Sequence, residues 1–209
     1  MPLAPDDGSV ARSGRPRASF VVLLALAVPL LCLRLGAKDV WEASEGRPLE
    51  SAREMRAQRD HLVQYTNGAV DLTKPPLYAW LVGASFRVFG DSEAAGRLPG
   101  VLASIGCLGA VYVLGRRRGG ARAGFLAAFL LLTTARFLWQ ARLAELETLL
   151  ALGVLWAYVA FDAGLEAEPG PRRARRFAAF FAAAGFAFAV KGAVALLLVL
   201  PGAIAGAFA

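Results

Sequence analysis

The sequence predicts an all-α, polytopic membrane protein, on three observations. The 209 residues are 57% hydrophobic with mean hydropathy +0.51, above the roughly 45–50% apolar share of soluble domains. Apolar runs near the ~20 residues needed to cross a bilayer recur along the chain. The arginines lie in short clusters between those runs, where they act as topology signals. The net charge of +7 is therefore no sign of a nucleic-acid partner, and none is expected. Cys32 and Cys107 both fall inside apolar runs, which argues against a disulfide framework. A single histidine, His61, leaves little material for a histidine-based zinc site.

Taken in order, residues 1–17 are polar and basic with proline and glycine, the composition of a disordered tail. Residues 18–33 form the first apolar run, read as an anchor. Residues 34–97 form a long first external loop. Within it, 49–62 reads as a surface helix, with Glu50/Arg53 and Arg56/Asp60 at helical pairing distance. Asn67-Gly68 marks a turn. Residues 77–90 are apolar but short for a span and suit a juxtamembrane helix. Arg97-Leu98-Pro99 opens a span over 98–114, and 116–122 is a basic turn. Spans follow at 123–139 and around 149–161, then a second basic turn at 172–176. Residues 177–209 are apolar except for Lys191. One helix of that length would run about 50 Å through a hydrocarbon core of about 30 Å, so it breaks at Lys191-Gly192. This predicts about six transmembrane helices, with a transmembrane region over 18–209.

If 77–90 does not cross, the N-terminus and both basic turns share one face. The 34–73 loop, the Arg142 segment and Lys191 share the other. The basic turns are short and lie beside spans, the pattern the positive-inside rule weighs. Their face is assigned to the cytoplasm and the other to the outside.

That outer face gathers the groups able to do chemistry. Lys74 in Lys74-Pro75-Pro76-Leu77 sits on stiff backbone biased to an extended form, with Pro76 suited to the first turn of a helix. It reads either as a phosphate partner or as a snorkelling lysine beside a proline stop. Asp39, Glu42 and Glu45 read as candidate bases or as a solvated acidic loop. Arg47 reads as a second phosphate ligand or as a partner of Glu45 or Glu50. Arg142, Glu145 and Glu147, between two spans, are functional suspects or an interfacial salt-bridge set. Lys191 caps a hairpin, serves a site, or does both. Trp41, Tyr65, Tyr78 and Trp80 suit an interfacial aromatic belt. A non-enzymatic membrane protein, a transporter fragment or an inactive remnant is the competing reading.

The order of short motifs adds a resemblance. Glu45-Gly46-Arg47, Arg53-Glu54-Met55, Asn67-Gly68, Leu72-Thr73-Lys74-Pro75-Pro76-Leu77-Tyr78-Ala79-Trp80-Leu81, Phe89-Gly90, Arg97-Leu98-Pro99, Ala141-Arg142 and Lys191-Gly192 follow one another. This resembles the N-terminal half of the ArnT-like and protein-mannosyltransferase-like glycosyltransferases of the GT-C class. The resemblance implies an inverting transferase in the plasma (inner) membrane of a bacterium. It would take a sugar from a polyprenyl-phosphate donor and pass it to a lipid, glycan or protein acceptor on the extracytoplasmic face. By carry-over, Glu45 and Glu147 are the catalytic carboxylates, and Lys74, Arg47, Arg142 and Lys191 contact the donor phosphate. Many relatives carry Asp-Glu where this chain has Ser44-Glu45. Thr73 stands where some relatives have an acidic residue implicated in metal binding, so neither metal nor cofactor is expected. Relatives are far longer, and the C-terminal part of such an enzyme is expected to be missing.

Overall fold

Prolines and glycines bound α3, which runs between Pro76 and Gly90, and α7, which runs between Gly170-Pro171 and Gly192. The structure, a computed structural model, describes residues 16–40 and 42–208. The N-terminal tail (residues 1–15) and the belt residue Trp41 lie outside the described residues. Eight helices and one short hairpin are present among those described: α1 (Pro16–Cys32), α2 (Ala43–Gln58), β1 (Tyr65–Thr66), β2 (Ala69–Val70), α3 (Leu77–Phe89), α4 (Glu93–Thr133), α5 (Ala135–Ala141), α6 (Glu147–Leu165), α7 (Pro171–Lys191) and α8 (Ala193–Phe208).

The all-α expectation holds apart from the hairpin. Asn67 (φ 54) and Gly68 (φ 76) carry its two-residue turn, with Tyr65 opposite Val70 and Thr66 opposite Ala69. Positive φ at both turn residues matches the twist of the flanking strands. The long apolar C-terminal run breaks where expected, at Gly192 (φ 63) between α7 and α8. The first basic turn falls inside α4, at Gly119 and Gly120. Gly120, at φ 76 and ψ −173, occupies a region essentially closed to residues with a Cβ.

Several boundaries differ from expectation. The helix expected over 49–62 is α2, which starts and ends earlier and is not confined to the surface. Leu49, Ala52 and Met55 form one buried stripe, spaced so that they share a helix face, and the stripe faces α3 and α4. Pro48 lies inside α2, in its second turn, where it leaves the Ser44 carbonyl without its helical N–H partner. Arg53 and Arg56 turn to Asp91, at 2.9 and 3.4 Å, rather than to Glu50 and Asp60. Asp60 instead accepts from the backbone N–H groups of Leu62 and Val63. α4 starts at Glu93, where the Ser92 hydroxyl accepts from Ala95 N–H, so Arg97 lies inside a helix. The run 123–139 breaks at Thr134 (φ −67, ψ 119) and continues as α5. The second arginine cluster is no turn: Arg172 to Arg176 open α7 behind Pro171, a position where proline costs no hydrogen bond.

Two helices, Glu93–Thr133 and Glu147–Leu165, are long and apolar enough to cross a membrane. Shorter apolar helices cover Ala18–Cys32, Leu77–Phe89 and Ala193–Gly206. In α1, Leu23, Ala27 and Leu31 form an i, i+4, i+8 stripe that packs on Val101, Leu108 and Ala128 of α4. A second cluster joins Leu49 of α2, Val82 and Phe86 of α3, Ala103 of α4, Leu149 of α6 and Val190 of α7. A third ties α6, α7 and α8 through Ala157, Phe180 and Val199. Both cysteines are free, Cys32 exposed and Cys107 buried.

The polar side chain that organises this packing is Arg97. It is 1% exposed, as is Glu45. Arg97 Nε donates to Glu45 Oε1 at 2.7 Å and Nη2 to Oε2 at 3.2 Å. Its Nη1 donates to the carbonyls of Leu35 (2.7 Å) and Lys38 (2.8 Å). Glu45 Oε1 also accepts from Ala144 N–H at 3.1 Å. One pair therefore joins the turn after α1, the start of α2, the start of α4 and the loop before α6. Removing one partner of such a pair strands a charge in a dry interior, at a cost of about 3–5 kcal/mol. Glu45→Ala and Arg97→Ala are each expected to destabilise the chain by that amount. In a double-mutant cycle read by thermal unfolding in detergent, the double variant should lose clearly less than the sum; simple additivity would disprove the coupling.

Candidate functional site

The segment that carries Lys74 is shaped by side chains hydrogen-bonding its own backbone. Asp71 Oδ1 accepts from Thr73 N–H (3.0 Å) and from the Thr73 hydroxyl (2.5 Å). Gln64 Nε2 donates to the Lys74 carbonyl at 2.6 Å, and Trp80 Nε1 donates to the His61 carbonyl at 2.6 Å. Pro75 and Pro76 then lead into α3, with Trp80 N–H bonded to the Pro76 carbonyl. Lys74 is thus held in front of the first turn of α3, where the unpaired N–H groups of a helix favour an anion.

A small cleft of about 50 Å³ opens here. Its walls include Ser44 and Arg47 of α2, Asp71, Lys74 and Tyr78, and Glu147 at the start of α6. Glu147 accepts from Lys191 Nζ at 2.8 Å. The acid sits in the first turn of α6 and the base in the last turn of α7, so each charge also meets the favourable end of its helix. Lys191 caps the break before α8 and reaches the cleft through Glu147.

Four of the six residues expected at the site therefore come together: Lys74, Arg47 and Glu147 line the cleft, and Lys191 holds Glu147. The other two lie elsewhere. Glu45 faces away, with both carboxylate oxygens committed to Arg97 and one also to Ala144 N–H. Arg142 lines a separate groove beside α1 and α5 and donates to the Leu33 carbonyl at 2.6 Å. Glu145 binds the Gln140 side-chain amide. Asp39 and Glu42 are exposed. Two cleft residues, Ser44 and Asp71, do not stand out from sequence as site residues. Asp71 could have been found from its place three residues before Lys74 and from Asp-x-Thr, a pattern that closes a turn on its own backbone.

Below the cleft, the Tyr78 hydroxyl and Thr148 Oγ1 are buried without a hydrogen-bond partner. A methyl group at Gly100 would sit 3.5 Å from the first, 3.6 Å from the second and 2.8 Å from the Leu143 carbonyl. Glycine at that position lets α4 approach α3 and the loop before α6.

Fold and cleft together define the class: a helical membrane protein with a cleft of paired charges, Arg47 and Lys74 beside Asp71 and Glu147, at one end of its bundle. Residues 73–208 match the family described as dolichyl-phosphate-mannose-protein mannosyltransferase, and the chain belongs to that family. It is 29% identical over 193 residues to an undecaprenyl phosphate-alpha-4-amino-4-deoxy-L-arabinose arabinosyl transferase of Edwardsiella ictaluri, covering 90% of this chain and 35% of that one. An uncharacterized protein of Aquifex aeolicus is 31% identical over 129 residues, covering 61% and 26%. The fold superposes on the crystal structure of ArnT from Cupriavidus metallidurans bound to undecaprenyl phosphate with a TM-score of 0.79 and 27% identity, over 87% of this chain and 34% of that one. The chain thus spans between about a quarter and a third of the length of these relatives.

Asp71 sets a pH dependence for the Lys74 segment. The Thr73 hydroxyl, then the Thr73 N–H, hold its carboxyl below the ordinary carboxylate range. A group whose pKa falls on folding adds stability that is complete above its unfolded value, about 3.9, and is lost as pH drops through the folded value. Hydrogen exchange across residues 64–74 should therefore be unchanged from pH 7 to 5 and quicken below about pH 4, relative to the intrinsic rate. Asp71→Asn should remove that acid-linked change, and an identical pH profile in the variant would refute the assignment.

Proposed function

We propose that this chain forms the N-terminal, donor-phosphate-holding part of a membrane glycosyltransferase. The enzyme moves a sugar from a polyprenyl-phosphate carrier to a lipid, glycan or protein acceptor. The observation that carries this reading is the convergence of Lys74, Arg47 and Glu147 in one cleft, on a chain whose fold superposes on a transferase holding undecaprenyl phosphate.

In this reading the acceptor's nucleophilic atom attacks the anomeric carbon. The bond from that carbon to the phosphate oxygen breaks with inversion, and its electron pair leaves with the polyprenyl phosphate. Lys74 and Arg47 neutralise the charge that grows on the departing phosphate, the largest contribution a preorganised site makes. A carboxylate takes the acceptor proton. Glu147 fits that part better than Glu45: it lines the cleft, and Lys191 orients one of its oxygens. Glu45 becomes a positioning residue, acting through Arg97 and the backbone of Ala144. Arg142, which lines a separate groove, is left out of the phosphate site in this reading, and Lys191 acts through Glu147.

Six apolar segments fit the expected crossings: α1, the two halves of α4 on either side of Gly120, α6, α7 and α8. α2, α3, α5 and the hairpin then lie at the outer surface. Glu147 and Asp162, near opposite ends of α6, stand more than about 20 Å apart at 1.5 Å per residue. At the Asp162 end, Arg117 and Arg118 pair with Asp162, and this arginine-rich end suits the cytoplasmic side of a bacterial plasma membrane. The cleft then faces outward.

Binding of labelled undecaprenyl phosphate to the purified chain tests the assignment. Lys74→Ala should weaken binding about 10- to 100-fold, the loss of one charge-assisted hydrogen bond. In a transfer-competent membrane preparation, Glu147→Gln should lower sugar transfer about 100-fold or more with binding and protein level retained. Wild-type affinity in Lys74→Ala would sink the phosphate site, and normal transfer in Glu147→Gln would sink the base.

A further inference from the structure

A second basic groove lies apart from the Lys74 cleft, between the end of α1 and α5. Its cavity measures about 420 Å³. Arg34, Lys38 and Arg142 line it together with apolar Leu30, Leu138 and Trp139. Among the described residues no carboxylate lines it. Two of the three cations, Lys38 and Arg142, are set in place by the fold, and Arg34 projects from the exposed turn after α1. The Lys38 carbonyl is fixed by Arg97, and its ammonium lies 4.1 Å from the centroid of the Trp139 ring. Arg142 Nη2 is anchored on the Leu33 carbonyl, which leaves other N–H groups of the guanidinium for a ligand. Arg97 at the floor is fully committed to Glu45 and to two carbonyls.

We infer that this groove binds an anionic glycerophospholipid of the surrounding bilayer, with the phosphate between Arg34, Lys38 and Arg142. The combination of walls and charges argues for an amphiphile: three cations without a carboxylate call for an anion, and an apolar slot beside them calls for a chain. Basic pockets between membrane helices recognise anionic headgroups in this way. The groove also continues into an apolar track. Val22, Leu26 and Leu30 are 50%, 41% and 46% exposed and recur at i, i+4, i+8 on one face of α1. From Arg34 to Val22 that face runs about 18 Å, close to the ~15 Å of one hydrocarbon leaflet. A headgroup at the groove and one acyl chain along the track match a lipid that occupies a single leaflet. The inference needs the chain to reside in a membrane but does not rest on the transfer reading.

The test uses the purified chain in detergent, titrated with dioctanoyl phosphatidylglycerol, dioctanoyl phosphatidylcholine or undecaprenyl phosphate, and read by thermal shift and native mass spectrometry. Phosphatidylglycerol should bind at least tenfold more tightly than phosphatidylcholine. Arg34→Gln/Lys38→Gln, changed at two exposed positions outside the packed core, should abolish that preference while the unliganded melting temperature stays as in the wild type. Lys74→Ala should leave the preference intact. Equal binding of the two phospholipids would overturn the inference, as would a preference that survives the double variant. Displacement of phosphatidylglycerol by equimolar undecaprenyl phosphate in the Lys74→Ala variant would overturn it too, by assigning the groove to a prenyl phosphate.

Discussion

Arg97 and Glu45 are both removed from water, and each is tolerable there chiefly because of the other, with Glu93 adding a second carboxylate 3.6 Å from Arg97. Two parallel N–H···O bonds join them, two carbonyls take further guanidinium protons, and a backbone N–H donates to the carboxylate as well. A half-satisfied version of this network would cost more than an apolar replacement, so the segments that supply its members are fixed together. Those segments are the turn after α1, the first turn of α2, the first turns of α4 and the loop before α6. The cleft is built from their close neighbours in sequence: Ser44 and Arg47 flank Glu45 on α2, and Glu147 lies three residues beyond Ala144. The buried pair sets the distance between the two walls of the cleft without entering it.

The rest of the charge distribution tracks the ends of the bundle. At one end Arg117 and Arg118 bind Asp162, Arg117 also binds Glu166, and Arg176 binds the Ala163 carbonyl. These contacts tie the hinge in α4 to the connection between α6 and α7, and their cations have protein partners. At the other end Lys74 and Arg47 face a cleft, while Arg34 and Lys38 face a groove. A cation held in place without a carboxylate beside it raises the local potential for an anion; the groove meets that condition, whereas Asp71 and Glu147 share the cleft with Lys74 and Arg47.

Much of this was legible in the sequence because it depends on local rules. Asn67-Gly68 and Lys191-Gly192 demand positive φ, Pro76 and Pro171 suit helix starts, and the apolar runs have helix length. Lys74 and Glu147 stood out as charges beside apolar runs. What local rules cannot show is a partner 52 residues away. Arg97 read as the mouth of a span, since arginine before Leu-Pro commonly marks an interface, and its burial depends on Glu45 arriving from α2. The sequence reading starts this helix at Leu49, whereas α2 begins at Ala43 and carries Gly46 and Pro48 inside it. Arg142 was grouped with Glu147 by proximity in sequence, but α5 ends at Ala141 and the chain turns there, sending the two side chains into different cavities.

Ser44 gives the cleft a chemical character of its own. Many relatives place an acid at that position, on the α2 wall beside Arg47; here the wall carries a neutral hydroxyl. Lys74 and Arg47 then face one carboxylate fewer, which favours a phosphate in the cleft. Under the proposed function the proton-accepting role falls to α6, where Glu147 stands at a helix N-terminus with Lys191 behind it. A carboxylate so placed has a fixed geometry, with one oxygen held by Lys191. Under the proposed function that geometry matters because inverting displacement depends first on how the acceptor is aimed at the anomeric carbon. Proton removal can come late, once the departing phosphate has drawn charge away from the sugar.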